Sequence, residues 1–363
     1  MLTLYRSSTE RLRHWRDALR RLIVRGLLDR PLRERTDSVS QVVFVRWDGK
    51  LGDTIVLSWV YRELMRVRPD LRLTVLTHAA LADLHRNGFG LDHVIVCSKR
   101  PGFLEILGLA RQVRRARYVI HLTESFKPRD FFFVRCVAPA QVVSLDDSAL
   151  CVNVKLGQST DHLHFSQKLL PWFESLGVQK PDTTYRVPGA LSVDAVEKGL
   201  QSEPHITGFC PVGAGGNRKM SDRTVIELVQ IMRRVSGHRI LLLVAADQIE
   251  RMRRIIETLT DNHVFLPDNP HSLNDLFANV RRCDYVVSVD TATVHVATGL
   301  DKPQLALYNP DSLHHQNYPK WHPNSSKAQT LFAERVDPQH IDAVDRQKFR
   351  QAYERLVLSQ PEP

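Results

Sequence analysis

The sequence predicts an α/β protein with two doubly wound domains. Short apolar, β-branched segments alternate with helical patterns from Gln41 onward, and a second alternating series runs from Ile206 to Tyr308. A stretch bracketed by Pro181 and Pro188 separates the two series. Strands that alternate with helices are typical of parallel sheets covered by helices on both faces. Two series of similar size therefore predict two such domains that face each other across a cleft.

Composition limits the classes of protein to consider. The chain has 363 residues, of which 43% are hydrophobic and 25% charged, as in an ordinary globular protein with sizeable cores. No apolar run approaches the roughly 20 residues that cross a bilayer, and the N-terminus lacks the apolar core of a signal peptide. We therefore expect a cytoplasmic protein. The net charge of +10 indicates anionic partners: phosphates, acidic glycans, nucleic acid or an acidic membrane surface.

Cysteine usage indicates neither a disulfide framework nor a cysteine-based metal site. The five cysteines are an odd number and occur singly, and most lie in or beside strand-like segments. We expect buried free thiols.

Residues 1–40 differ from the rest of the chain and are predicted to form a basic helical extension. Met1–Arg35 contains ten arginines and four acidic residues. Apolar residues recur there mainly at three- and four-residue spacing, at Leu12, Trp15, Leu19, Leu22, Ile23 and Leu27. A basic amphipathic helix of this kind can lie on an anionic membrane or dock on the protein's own surface. Nucleic acid is not expected as a partner, because no basic patch interleaved with aromatic residues accompanies the arginines.

The first domain is predicted to span residues 41–185. Five short strands are expected there, at Val42–Val45, Leu73–Leu76, Val94–Val96, Tyr118–Leu122 and Val142–Ser144. A helix is expected from about Thr54 to Val67.

The second domain is predicted to span residues 186–335, with a charged helical tail over 336–363. Its expected strands are Ile206–Cys210, Ile240–Ala245, Val264–Leu266, Tyr285–Val289 and Leu305–Tyr308. Helices are expected at Thr224–Val235, Ile249–Leu259 and Leu273–Val280.

A glycine-containing loop follows the first strand and carries three charged side chains. Gly49 and Gly52 permit a tight turn, and the loop delivers Asp48, Lys50 and Asp53 to the carboxyl end of the sheet. The loop matches neither a Walker P-loop nor a dinucleotide-binding fingerprint. A carboxylate in this place can serve as a general base or cap the following helix. The local pattern by itself favours a cap for Asp53.

Two features of the second domain predict an anion site. The loop Gly213-Ala214-Gly215-Gly216 precedes Arg218 and Lys219, and such loops cradle phosphate with backbone N–H groups and a positive charge. The buried strand Tyr285–Val289 turns at Asp290-Thr291 into a short apolar helix, whose N-terminus offers free N–H groups to an anion. Because both follow strands of one domain, we expect them to face the same cleft.

Together these segments resemble the heptosyltransferase family, glycosyltransferase family 9. Its members carry a loop ending in Leu/Met-Gly-Asp, matched by Leu51-Gly52-Asp53. They carry a Pro-x-Gly-Ala-Gly…Lys segment, matched by Pro211–Gly215 and Lys219. They also carry Val-Asp-Thr-Gly-x-x-His-x-Ala followed by a Tyr-Gly-Pro element, matched by Val289–Ala297 and Pro303–Pro310. The resemblance runs from about Val42 to Pro323 and implies transfer of heptose from ADP-heptose onto the lipopolysaccharide inner core.

The resemblance also implies an architecture and a mechanism. It implies a GT-B fold and inverting transfer with no metal or other cofactor, an ADP-sugar being the donor substrate. Asp53 is then the base that deprotonates the acceptor hydroxyl, and Lys219 neutralises the departing diphosphate. The implied donor-binding residues are Gly213, Ala214, Gly215, Gly216, Asp247, Asp290, Thr291, Ala292 and His295. The residues implied to meet the acidic acceptor are Asp48, Lys50, Lys99, Arg100 and Lys127.

The sequence departs from the family pattern at three positions: Ala292 replaces glycine, Ser221 replaces an aromatic residue, and Asn309 replaces glycine in Tyr-Gly-Pro. We expect Ala292 to narrow the space beside the donor. The alternatives are therefore another nucleotide sugar, a protein acceptor, or a non-catalytic protein that binds an anionic glycolipid. If the acceptor is lipid-anchored, the enzyme is expected at the cytoplasmic face of the inner membrane, held there by the basic extension.

Metal binding is not expected at the paired histidines His162/His164 and His314/His315, which lie in polar segments. Asp146-Asp147 is expected to form a solvated turn.

Overall fold

A computed structural model describes residues 25–34, 36–189, 205–267, 272–311, 318–337 and 339–358. Most of the predicted basic helix, residues 1–24, lies outside this part of the chain, as do His314 and His315. Within the described ranges, no helix has the length and hydropathy needed to cross a membrane.

The first half of the chain forms a six-stranded sheet in the order β3-β2-β1-β4-β5-β6. Its strands are β1 (Val39–Arg46), β2 (Arg72–His78), β3 (His93–Cys97), β4 (Ala116–His121), β5 (Gln141–Ser144) and β6 (Val154–Lys155). All neighbouring strands are parallel.

The second half forms another six-stranded sheet, in the order β12-β11-β10-β7-β8-β9. Its strands are β7 (Ile206–Cys210), β8 (Arg239–Leu242), β9 (Val264–Phe265), β10 (Tyr285–Val289), β11 (Gln304–Tyr308) and β12 (Ala328–Phe332). These strands are also parallel throughout. Read from β9, this order repeats that of the first sheet, and both are the doubly wound order of nucleotide-binding folds. The predicted fold class is confirmed.

The helices connect successive strands. Those of the first half are α1 (Leu51–Val56), α2 (Ser58–Val67), α3 (Ala79–Asp83), α4 (Phe103–Gln112), α5 (Pro128–Val137) and α6 (Leu170–Ser175). Those of the second half are α7 (Asp222–Ser236), α8 (Ile249–Leu259), α9 (Leu273–Arg281), α10 (Ala292–Gly299), α11 (Tyr318–Trp321) and α12 (Arg346–Leu358).

Most predicted elements occur within a few residues of the expected bounds, and the differences have local causes. The helix predicted over Thr54–Val67 is two helices, α1 and α2, separated at Leu57. Because α1 begins at Leu51, Asp53 lies in its first turn and not at the N-cap position that directly precedes the helix. Two edge strands were not predicted: β6 has only two residues, and β12 is only half-buried, so neither has the apolar run of a buried strand.

The chain divides into two compact units. The first comprises the described part of Met1–Lys50 with Val60–Leu163 and Gln167–Asp182. The second comprises Leu51–Trp59, His164–Ser166 and the described part of Thr183–Pro363. Thus α1, which carries Asp53, belongs by its contacts to the second unit, which contains the second sheet.

Each unit has its own core. In the first, strand residues such as Val43 and Val119 pack against helix residues such as Ile106 and Val134, all buried. Helices on both faces of a parallel sheet explain why its strands are almost continuously apolar. In the second, Phe209 and Val287 of the sheet pack in one cluster with residues of α7 and α12.

Asp146 and Asp147 do not form a solvated turn. Asp146 is only 5% exposed, and its carboxylate accepts hydrogen bonds from the backbone N–H groups of Phe126 at 2.8 Å and Ser148 at 3.1 Å. Asp147 accepts from the N–H of Gly157 at 2.9 Å. Both carboxylates therefore accept hydrogen bonds from backbone N–H groups of loops in the first unit. These contacts are not visible in the local sequence.

Candidate functional site

The candidate site lies at the carboxyl edge of the second sheet. Strands β7 and β10 are neighbours at the centre of the sheet. From β7 the chain continues to β8 on one side of this pair, and from β10 it continues to β11 on the other side. Such a switch point is where doubly wound sheets generally bind ligands. The glycine loop follows β7, and Asp290 follows β10.

The glycine loop is closed at its base and exposed at its tip. A bridge joins Val212 to Lys219, and the N–H of Gly213 donates to the carbonyl of Arg218 at 2.8 Å. A Cβ on Gly213 would lie 3.1 Å from the carbonyl oxygen of Asp290, so glycine permits the two loops to touch. Gly215 has a φ of +100°, which also favours glycine. Ala214, Gly215 and Gly216 are exposed.

Asp290 connects the two loops through an ion pair. Its side chain is 15% exposed, and its Oδ2 lies 3.2 Å from Nε of Arg218. Burial raises the pKa of Asp290, and the Arg218 guanidinium opposes this rise. A half-exposed arginine beside the glycine loop leaves positive charge available to a phosphate.

Helix α10 begins directly after Asp290, with Thr291 in extended conformation as its N-cap. The Thr291 side chain makes no capping hydrogen bond, so N–H groups of the first turn are not satisfied by their cap. A helix N-terminus with unsatisfied N–H groups can bind an anion. The strand, the turn at Asp290-Thr291 and the helix after it occur where the sequence predicts them.

His295 is buried in the next turn of α10, with 4% of its surface exposed. Its Nδ1 is buried and has no hydrogen-bond partner among the described residues. Burial, together with the positive potential of His164, His322 and Arg218, lowers the pKa of His295 to about 3. The imidazole is therefore neutral near pH 7.

Gly52 allows α1 to approach α10 closely. A Cβ on Gly52 would lie 3.2 Å from Cδ2 of His295 and 3.6 Å from Cα of Ala292. The glycine of the Leu-Gly-Asp motif therefore fixes the next residue, Asp53, beside the N-terminus of α10. A Cβ on Gly52 would also lie 3.9 Å from the methyl carbon of Ala292. Ala292, which replaces the family glycine, therefore lies against α1.

Hydrogen bonds hold the segment after α1 within the second unit. Nε1 of Trp59 donates to the carbonyl of Ser166 at 3.0 Å. Oγ of Ser58 donates to the carbonyl of Ile55 at 2.7 Å and accepts from the N–H of Arg186 at 2.6 Å. Sequence reasoning missed these residues because their partners are distant in the chain. Trp59 and Ser166 are separated by 107 residues, and Ser58 and Arg186 by 128 residues.

His164 belongs to the same polar network, although its segment looks like an exposed polar loop. It is 4% exposed, and its Nδ1 lies 2.8 Å from Oγ of Ser166, while its Nε2 lies 3.1 Å from the carbonyl oxygen of His322. Nδ2 of Asn324 donates to the hydroxyl of Tyr185 at 3.2 Å. These hydrogen bonds join the segments at His164, Tyr185 and His322 within the second unit.

Lys219 closes the glycine loop, and Asp247 follows the neighbouring strand β8. Lys219 is half-buried at the base of the loop, where its carbonyl accepts from the N–H of Ile341 at 2.8 Å. Asp247 is exposed in a 3₁₀ turn after β8, the strand beside β7, and its Oδ2 accepts from Nε2 of Gln248 at 3.0 Å. The donor residues predicted from the sequence therefore follow adjacent strands of one sheet.

Asn309 departs from the family glycine and has a defined contact. Its Nδ2 donates to the carbonyl of Asn217 at 2.5 Å. A small cavity of about 80 Å³ beside it is also lined by Arg218, Asp290 and Tyr308. The side chain of Asn309 therefore restrains the glycine loop near its tip.

The residues predicted to bind the acceptor lie in the first unit. Gly49 has a φ of +63°, and a Cβ there would lie 3.0 Å from Cβ of His78 and 3.4 Å from Cε of Lys99. Asp48 lies before this turn, with its Oδ1 3.7 Å from Nη2 of Arg46. The structure thus brings Asp48 and Lys99 to one edge of the first sheet.

The other predicted acceptor residues have exposed side chains. They are Lys50, Arg100 and Lys127. Lys127 is also the N-cap of α5, where its N–H donates to Oδ2 of Asp130 at 2.7 Å.

The described ranges contain no group of three or more His, Cys, Asp or Glu side chains placed to hold an ion.

Comparison with known proteins identifies the family. The family described as glycosyltransferase family 9 (heptosyltransferase) matches residues 106–343, more than half of the chain. The chain is 26% identical over 322 residues to the Escherichia coli (strain K12) protein named "Putative lipopolysaccharide heptosyltransferase 4", and the match covers 84% of each protein.

Two solved E. coli structures have the same fold. ADP-heptose LPS heptosyltransferase II has a TM-score of 0.67 at 17% identity, over 88% of this chain and 99% of that one. Heptosyltransferase WaaC with ADP has a TM-score of 0.64 at 17% identity, over 87% of this chain and 99% of that one. This likeness shows the GT-B fold, with two Rossmann-like domains. The chain belongs to glycosyltransferase family 9, the heptosyltransferase family, and is a glycosyltransferase.

Proposed function

We propose that this glycosyltransferase moves a heptose from ADP-heptose onto an inner-core sugar of lipopolysaccharide, with inversion at the anomeric carbon. The observation that carries the proposal is the close packing of α1 on α10. It brings the Leu-Gly-Asp motif to the helix N-terminus that follows Asp290, where an anionic leaving group is best stabilised.

The donor site in this proposal is formed by the glycine loop and the N-terminus of α10. The loop offers backbone N–H groups to the diphosphate of the donor. Lys219 and the half-exposed Arg218 neutralise the charge that develops on the departing ADP. Asp247 follows β8, the strand next to β7, and is assigned in this proposal to a ribose hydroxyl of the donor. Names of relatives support this donor: WaaC was solved with ADP, and heptosyltransferase II is named for ADP-heptose.

The proposed base is Asp53. An inverting displacement needs one group to accept the proton of the attacking hydroxyl while another stabilises the leaving group. Asp53 lies in the first turn of α1, and Gly52 beside it contacts α10. We propose no metal or other cofactor, since these residues supply both requirements.

The acceptor is proposed to bind the basic edge of the first sheet. Asp48, Lys50, Lys99, Arg100 and Lys127 follow the carboxyl ends of its strands, and lysine and arginine there suit an anionic core oligosaccharide. Because such an acceptor is lipid-anchored, we propose that the enzyme works at the cytoplasmic face of the inner membrane.

The test is ADP release from ADP-heptose in the presence of a heptose-deficient lipopolysaccharide acceptor. Replacing Asp53 by Asn should lower kcat by roughly 10²–10⁴-fold, the usual contribution of a general base, and leave ADP affinity within a few-fold of wild type. Asp92→Asn, an exposed carboxylate of the first unit, is the matched control and should retain full activity. Unchanged turnover in Asp53→Asn would exclude Asp53 as the base.

A second candidate function is the same reaction with another nucleotide sugar. The observations that favour it are the methyl group of Ala292 beside α1 and the contact of Asn309 with the glycine loop. Both change the walls of the proposed donor site. A panel of ADP-, GDP- and UDP-sugars, scored by thermal shift and by turnover, separates the two candidates, because a ligand that binds the folded state raises its stability. Turnover of a hexose donor in preference to ADP-heptose would support the second candidate.

A further inference from the structure

Helix α4 begins with two large apolar side chains exposed to solvent. Phe103 is 44% exposed and Leu104 is 87% exposed. Single exposed apolar residues are ordinary, but adjacent ones at the tip of a turn form a protruding apolar surface. These residues take no part in the proposed transfer reaction.

The protrusion is held in one conformation by its neighbours. The N–H of Ser98 donates to Oε1 of Glu105 at 2.7 Å and closes the turn at its base. The ring of Phe103 packs edge-on against Phe132 of α5, with centroids 5.1 Å apart. Phe132 in turn packs against the core of the first unit. Phe103, Leu104 and Phe132 thus form an ordered surface, which we call the Phe103 patch.

The sequence around the patch is strongly basic. Between Ser98 and Arg117 there are six basic residues and one acidic residue, Glu105. The carboxylate of Glu105 is used by the N–H of Ser98. Lys99 and Arg100 directly precede the patch and are exposed. Arg111, Arg114, Arg115 and Arg117 are also exposed, but they lie toward or beyond the other end of α4, about 12 Å or more along the helix from Phe103. Apolar side chains amid positive charge are the pattern of a surface that contacts an anionic bilayer.

The first described segment of the chain attaches to the core of the first unit. Leu28 packs against the core cluster that also receives Phe132, and Nε of Arg135 donates to the carbonyl of Leu28 at 2.6 Å. Arg135 lies one turn after Phe132 on α5, so the two share a helix face. The first described segment of the chain is therefore held to the first unit through α5.

We infer that the Phe103 patch is a membrane-contact surface, on which Phe103 and Leu104 enter the interfacial layer of an anionic bilayer while the adjacent Lys99 and Arg100 meet the phosphates of lipid headgroups. The inference rests on the proposed function, in which the acceptor is anchored in that bilayer. A second copy of the chain is a poorer occupant, because two exposed side chains offer far less area than a stable dimer needs. The like charges around the patch would also repel a second copy.

The experiment is cosedimentation of the full chain with vesicles of phosphatidylglycerol and phosphatidylethanolamine, compared with vesicles of phosphatidylcholine. The wild type should bind the anionic vesicles preferentially, and added salt should weaken the binding. Leu104→Ser and Phe103→Ser should each lower the partition coefficient by about tenfold. Leu358→Ser is the matched control, because Leu358 is 75% exposed in the second unit, outside the patch.

Three results would overturn the inference. The first is that the wild type does not bind anionic vesicles. The second is that both serine variants bind as well as wild type. The third is that the variants bind vesicles normally and instead lower the mass seen by light scattering, which would make a second copy the occupant. Vesicle binding is measured without donor or acceptor, so loss of heptosyl transfer with intact vesicle binding would count against the proposed function alone.

Discussion

The contact between the glycine loop and Asp290 can be tested by Gly213→Ala. A Cβ at this position would lie 3.0 Å from Cβ of Arg218, 3.1 Å from the carbonyl oxygen of Asp290 and 3.2 Å from that of Arg218. Carbon atoms in good contact are about 3.5 Å apart or more, so the nearest carbon is too close by about 0.5 Å. Two of the three obstructing atoms belong to the backbone and cannot move away by changing a rotamer.

The added methyl should therefore push the glycine loop away from Asp290. Overpacking of this kind costs about 1–3 kcal/mol of unfolding free energy. Because the displaced loop carries the N–H groups proposed to hold the diphosphate, ADP should bind about 10- to 100-fold more weakly. Urea unfolding measures the first effect, and isothermal titration of ADP measures the second.

Gly108→Ala is the control for this substitution. A Cβ on Gly108 would meet no atom within 4 Å outside the backbone of its own helix, α4. Alanine should stabilise that helix by up to about 1 kcal/mol and leave ADP affinity unchanged. If Gly213→Ala is as stable as wild type and binds ADP as tightly, the proposed role of this contact is wrong.

Two further predictions concern buried polar groups. His85 is fully buried, neither ring nitrogen has a hydrogen-bond partner among the described residues, and burial beside Arg46 lowers its pKa from 6.5 to about 3. The unfolded chain therefore binds the proton more readily, and the unfolding free energy should fall by up to about 1.4 kcal/mol per pH unit below pH 6.5 because of this residue. In urea titrations at pH 7, 6 and 5, His85→Phe should show a shallower slope, and an unchanged slope would contradict the assignment. Trp59→Phe leaves the carbonyl of Ser166 without its donor, which should cost about 1–3 kcal/mol. It should lower kcat more than it raises the KM for donor if the Trp59 contact positions α1, whereas a loss of stability with unchanged kcat would show that the contact only supports the fold.

The fold could be predicted because its strands are buried on both faces. Val42, Val43 and Val287 are completely buried, and such apolar runs are visible in sequence whatever their neighbours are. β12 could not be predicted in this way, because an edge strand that is half-buried has no such run.

The parts of the candidate site that lie within one continuous chain segment could be predicted from the sequence. The loop Gly213–Lys219 and the turn Asp290-Thr291 each follow a strong strand, so their positions at a sheet edge follow from the sequence. The ion pair of Arg218 with Asp290 and the contact of Asn309 with Asn217 could not be predicted, because each partner belongs to a different loop.

By itself, then, the sequence determined two doubly wound halves, a glycine loop, and the motifs that resemble glycosyltransferase family 9. Tertiary structure decided that α1 belongs with the second sheet, although it directly follows β1 of the first. The physical reason is the missing side chain at Gly52, which lets α1 lie against Ala292 and His295. The chain must fold for that contact to form, because Gly52 and His295 are far apart in the sequence, and no local pattern records it.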